Sequence, residues 1–227
     1  MEAISSVCAC GEGGQQAVLE AGCLANLQAL LARPISKLTL AVLRILDTLM
    51  LPGGLRLQSV LSAGALHSVA ALLWRRGRVG PHHRLACTVL ARGFVCVGQV
   101  GLGLQAGCLQ ALGSAAGRGG RGGHWGLLLE AGWAVARAAT LCSRQQAQEV
   151  VSAGGVEAMV MCLRASSAAQ GLLEKCRVET VLGGLRELLR KGTPEAVLQE
   201  AGVRDAVQGM RWDLKVMGQA QWLMEVL

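Results

Sequence analysis

An Ala-Gly pair recurs along this chain at nearly even intervals, and no other feature restricts its fold as strongly. The pairs are Ala21-Gly22, Ala63-Gly64, Ala106-Gly107, Ala153-Gly154 and Ala201-Gly202, at spacings of 42, 43, 47 and 48 residues. Their flanks agree: AVLEAGCLANLQALL, SVLSAGALHSVAALL, GLGLQAGCLQALGSA, EVVSAGGVEAMVMCL and AVLQEAGVRDAVQGM. A period of this size marks stacked copies of one supersecondary unit. A sixth pair, Ala131-Gly132, falls out of phase inside an apolar run and reads as coincidence.

The pair suits a break between two helices, because Gly accepts φ > 0 and close backbone approach. The residues after each break are helix-spaced. Leu24, Leu27, Leu30 and Leu31 come after Gly22; Leu66, Val69, Leu72 and Leu73 come after Gly64. Each set marks one apolar face. A longer third helix must fill the rest of each period, and the candidates are Ser36–Leu51, His83–Val97, Trp125–Cys142, Ala168–Leu189 and Leu214–Leu227. Two glycine-rich places stand out. Gly117–Gly123 reads as a mobile link, and Gly183-Gly184 as the end or a kink of the fourth third-helix.

Composition agrees with packed helices. Apolar residues make up 52% of the 227, yet there are five Trp, one Phe and no Tyr. Ala, Leu, Val and Gly carry the core, which favours close helix stacking over a sandwich rich in aromatic and β-branched residues. The nine Cys include no CxxC pair and lie mostly in apolar runs, where Cys acts as a small buried hydrophobe. With no basic and apolar leader in MEAISSVCACGEGG, a reducing compartment and hence the cytosol is the default, nucleus and cilium left open.

Three helices in roughly 42 residues, the first short and ending in xAGx, resemble armadillo repeats. The joins carry the resemblance: Ser6–Gly22, Ala91–Gly107, Ala138–Gly154 and Arg186–Gly202 have the same length, and Asp47–Gly64 is one residue longer. The resemblance implies an all-α, right-handed α-solenoid of about five three-helix repeats. Their bounds are about 11–51, 52–97, 98–142, 143–191 and 192–227, with 1–10 ending a preceding third helix. The chain closes on Leu223, Met224, Val226 and Leu227 and opens without a complete repeat, so it reads as part of a longer array or a shortened product.

The resemblance also implies a function: a protein-interaction scaffold whose third helices line a concave groove for a partner segment. Relatives that bind nuclear signals use a ladder of Trp and Asn there. Counting back from each Ala-Gly, the Asn position falls at Ser6, Asp47, Ala91, Ala138 and Arg186, and none is Asn. Trp222 is the one good match to the Trp position. The groove candidates are Arg44, Asp47, Arg92, Arg137, Arg186 and Trp222, and their Arg residues favour an acidic protein or peptide.

Other chemistries are weaker. The basic stretches 75–84 and 117–123 offer an alternative, binding of nucleic acid or an acidic membrane. Basic loops alone specify no partner, and the net charge of +7 is modest. His82, His83, Cys87 and His124 lack the paired spacing of a zinc site, so no metal is expected. No GxSxG, HExxH or P-loop context points to catalysis, and neither enzyme activity nor a cofactor is expected. The uncharged run Gly93–Gly117 has the length of a membrane span, but its in-phase break and three Gln fit the join of two repeats.

Overall fold

A helix that ends and immediately restarts in a new direction needs one residue in the left-handed region. The computed structural model places Gly22, Gly64, Gly107, Gly154 and Gly202 there, with φ of 66°, 79°, 69°, 77° and 76°. At each of these the glycine N–H donates to the carbonyl three residues back, as Gly22 does to Leu19 at 3.0 Å and Gly154 to Val151 at 2.9 Å. The next helix begins on the residue after the glycine. The structure describes all residues except 1, 34, 51–54, 76–77, 167–171 and 211–213.

Among the described residues there are sixteen helices and no strand. After α1 (Glu2–Ala9) they recur in threes. These are α2 (Glu12–Glu20), α3 (Cys23–Leu31), α4 (Ser36–Leu49); α5 (Leu55–Ser62), α6 (Ala65–Trp74), α7 (Pro81–Gly93); and α8 (Val97–Gln105), α9 (Cys108–Arg121), α10 (Trp125–Leu141). The last two triplets are α11 (Arg144–Ser152), α12 (Gly155–Ser166), α13 (Leu172–Arg190); and α14 (Glu195–Glu200), α15 (Val203–Gln208), α16 (Leu214–Val226). Equivalent helices stack: α4 on α7, α7 on α10, α10 on α13 and α13 on α16, with α3, α6, α9, α12 and α15 forming a second row. The core lies between these rows. Leu43, Leu46, Leu90, Val135, Leu182 and Leu185 are all fully buried there. None of the helices is long and apolar enough to cross a membrane, within the described residues. The uncharged run 93–117 is instead split between α7, α8 and α9.

Two expectations about glycine are corrected. The stretch Gly117–Gly123 is no link up to Arg121: it is the last turns of α9, and the chain turns only at Gly122 and Gly123. A Cβ at Gly119 would stand 2.9 Å from the Leu128 nitrogen, so the glycine there lets α9 approach the start of α10. Likewise α13 runs unbroken through Gly183-Gly184 to Arg190. A Cβ at Gly184 would sit 3.0 Å from the Ala136 carbonyl oxygen and 3.1 Å from its Cα, so the residue marks where α13 touches α10. Gly132, inside α10, plays the same part against Cys162 and the Ala158 carbonyl of α12. Helix interiors tolerate glycine when a neighbouring backbone leaves no room for a methyl group. Of the expected third helices, 83–97 shifts most. Pro81 starts α7 two residues early, and the extended Phe94 ends it.

The neighbouring glycines of α13 separate the two effects. Gly184→Val should lower stability by about 2 kcal/mol through overpacking. Gly183→Ala, which meets open space, should raise it by about 0.5–1 kcal/mol through helix propensity. Urea midpoints of the two variants check this, and equal shifts would contradict it.

Candidate groove on the third helices

The last carbonyls of a helix have no partner within it, and cationic side chains satisfy them well. In this chain the cation comes from the next helix of the same row. Arg92 of α7 donates from Nη1 to the Asp47 carbonyl of α4 at 3.1 Å, and its Nε lies 3.0 Å from the Asp47 carboxylate. Arg137 of α10 donates from Nε to Ala91 O and from Nη2 to Phe94 O, both at 3.0 Å. Lys191, just past α13, donates from Nζ to Ala139 O and Thr140 O at 2.8 Å each. The second row does the same. Arg75 donates to Leu31 O at 2.5 Å and Arg33 O at 3.4 Å. Arg118 donates to Leu73 O and, at 3.2 Å, to Arg75 O.

The middle of the third-helix row holds a charged cluster that sequence reasoning missed. Glu130 of α10 is 4% exposed. Its Oε1 accepts from Arg177 Nη2 of α13 at 2.6 Å and from Arg84 Nε of α7 at 3.2 Å, while Thr88 Oγ1 donates to Oε2 at 3.2 Å. One turn on, Trp133 has two guanidinium groups near its ring. Arg137 Cζ is 5.5 Å from the ring centroid and Arg177 Cζ 5.9 Å. Glu130, Trp133 and Arg137 stand at i, i+3 and i+7, so a charge-and-aromatic stripe on the apolar stretch 125–142 was the available signal.

The sequence candidates take distinct places. Arg44 is exposed on α4. Asp47 and Arg92 form the pair that joins α4 to α7. Burial pushes the Asp47 carboxyl above its usual range, Arg92 draws it back, and Glu130 adds to the rise. Burial, with Arg92 nearby, holds the Arg137 guanidinium below its ordinary value. Arg186 Nε lies 4.0 Å from Glu187 on its own helix, and the tie to α10 is made by Lys191 instead. Trp222 of α16 is half-buried against the core. Counting back from Ala-Gly reached Ala91 and Ala138, whereas Arg92 and Arg137, one residue away in each helix, carry the inter-helix bonds.

The basic stretches and the histidines also find their places. Arg75 and Arg118 are engaged with helix-end carbonyls and Arg84 with Glu130, while Arg76 and Gly77 lie outside the described residues. His83 is buried in the first turn of α7, where its Nδ1 accepts from Gly80 N at 3.1 Å. Burial first, then His82 and Arg118, lower its pKa to about 4. Burial pushes the Cys87 thiol far up. Among the described residues no group of three or more His, Cys, Asp or Glu is placed to hold a metal ion.

Solved structures share this arrangement. A designed armadillo repeat protein superposes with a TM-score of 0.75 at 20% identity, over 99% of this chain and 90% of its own. The chain is an armadillo-like repeat solenoid. Another designed armadillo repeat protein, in complex with the peptide (KR)4, matches this solenoid at TM-score 0.76 and 20% identity, covering 99% of this chain and 90% of its own. A third, computationally designed for modular peptide recognition, matches at 0.76 and 18% over the same shares. No protein-family model and no curated protein matches the solenoid's sequence.

Arg177→Ala leaves Glu130 buried with a single, more exposed Arg. It should cost about 3 kcal/mol in chemical unfolding, against under 1 kcal/mol for the surface pair variant Arg190→Ala. His83 must stay neutral to accept from Gly80. Its folded pKa lies below the unfolded 6.5, so its contribution is present above pH 6.5 and lost as pH falls toward 4, on the order of 2 kcal/mol. Thermal midpoints between pH 7 and 4 should fall less steeply in His83→Gln.

Proposed function

We propose that this solenoid is a protein-interaction scaffold that binds an extended, acidic partner segment along its third helices. The observation that carries the reading is Trp133, half-buried with Arg137 and Arg177 near its ring at the middle of the row. Trp and Arg are the side chains that most often anchor an interface, and a ring already in contact with two cations loses little freedom on binding. Charge supports the same partner. Arg44, Arg84, Arg92, Arg137, Arg177, Arg186 and Arg190 stand along the row and outnumber Asp47, Glu130, Glu179 and Glu187; Asp47 is paired with Arg92, Glu130 with Arg84 and Arg177, and Glu187 with Arg190. Acidic side chains gain from that surplus and basic ones are repelled. One designed relative in fold was solved with a basic peptide, and the Arg-bearing row here favours the opposite sign.

The partner is held by shape and a few anchors, with Trp133 and Arg177 at the centre and Arg44, Asp47 and Arg186 toward the flanks. Trp222 serves as an end anchor on α16. Binding needs no bond-making step.

Fluorescence anisotropy with an extended Glu/Ser peptide and with a (KR)4 peptide checks the reading. The acidic peptide should bind more tightly, and more weakly as salt rises. Trp133→Ala should weaken it about thirtyfold, and Arg44→Glu with Arg186→Glu should chiefly slow association. Equal affinity for both peptides, or indifference to Trp133, would defeat it.

A further inference from the structure

The positive charge of this chain is concentrated. Asp47 and Glu130 are consecutive acids in the sequence, and the interval between them holds eight Arg, no Lys and all four His. The excess of +7 therefore resides in this interval, and the remaining residues nearly balance. Arg without Lys suits bidentate contact with phosphate.

The most exposed apolar side chains lie in this interval or, for Ile35, shortly before it. The three most exposed large ones among the described residues are Ile35 at 51%, Trp74 at 51% and Trp125 at 55%. All three occupy one place in successive triplets, the junction of second and third helices. Ile35 lies between α3 and α4, Trp74 ends α6 and Trp125 starts α10. The junctions are tied into a row: Arg75 reaches Leu31 O and Arg33 O, and Arg118 reaches Leu73 O and Arg75 O. His124, beside Trp125, donates its N–H to Gly119 O at 2.8 Å. Arg33, Lys37, Arg78, Arg121 and His124, at or next to the same helix junctions in the chain, are exposed. The acid nearest these residues in the sequence, Glu130, is buried against Arg84 and Arg177.

We propose that this edge docks on an anionic lipid bilayer, with Ile35, Trp74 and Trp125 at the headgroup level and the Arg side chains on lipid phosphates. Trp prefers that depth because its ring is apolar and its N–H polar. Neighbouring Arg residues add about fivefold each to partitioning onto an acidic surface. A single-stranded nucleic acid fits less well. It needs a stacking face at successive positions, and Ile35 supplies none. The proposal is independent of the groove, whose Trp133 and Arg177 lie on the third-helix row.

Vesicle co-sedimentation tests it, with phosphatidylcholine alone and with added phosphatidylserine, using the full chain, Arg78→Gln/Arg121→Gln and Trp74→Ser/Trp125→Ser. The chain should pellet with the serine lipid only and release as salt rises. The Arg pair should reduce binding about twentyfold. The Trp pair should reduce it at least tenfold, and brominated lipid should quench the chain's fluorescence but not that variant's. Circular dichroism confirms that the variants keep their helices. No pelleting, equal pelleting with neutral lipid, or pelleting unchanged in both variants overturns the proposal. So does binding of an oligo-dT probe that fails in both variants while vesicles are not bound.

Discussion

The carbonyls at each helix C-terminus are the constraint on which this solenoid turns. Short helices stacked in rows leave many such groups, and a buried, unpaired carbonyl is costly. Here Arg75, Arg92, Arg118, Arg137 and Lys191 each reach back to the equivalent helix of the preceding unit. The long aliphatic stems of these side chains also cover apolar surface between units. One residue type thus satisfies polar groups, fixes the spacing of units and supplies positive charge to the surface. The groove proposed above would take its sign from residues with structural duties.

The small-residue core results from the same close stacking. Gly132, Gly119 and Gly184 sit where one helix meets the backbone or Cβ of another, and larger residues would push the rows apart. The left-handed glycines at the helix breaks serve a different purpose, conformational rather than steric. Distinguishing the two roles requires knowing what lies opposite, which is why periodicity revealed the breaks but misassigned Gly183-Gly184 and the 117–123 segment. Local sequence reports φ well through its flanks; it reports the neighbour across a helix interface poorly.

The same limit applies to the candidate site. Asp47, Arg92 and Arg137 were legible because they recur near one offset from the Ala-Gly pairs. Glu130 was not, since its partners Arg84 and Arg177 lie 46 and 47 residues away and come together only through stacking. Trp133 gave no signal of its own, because an aromatic in an apolar helix usually belongs to the core. Its position near two guanidinium groups, rather than its identity, makes it a candidate anchor.

The backward reach of the cations gives the array a direction. Removing a unit from the N-terminal side strands an Arg or Lys, which can turn its charge into water at little cost. Removing one from the C-terminal side strands the carbonyls of the unit before it, which cannot move away from their helix. A solenoid built this way tolerates the removal of units from its two sides unequally.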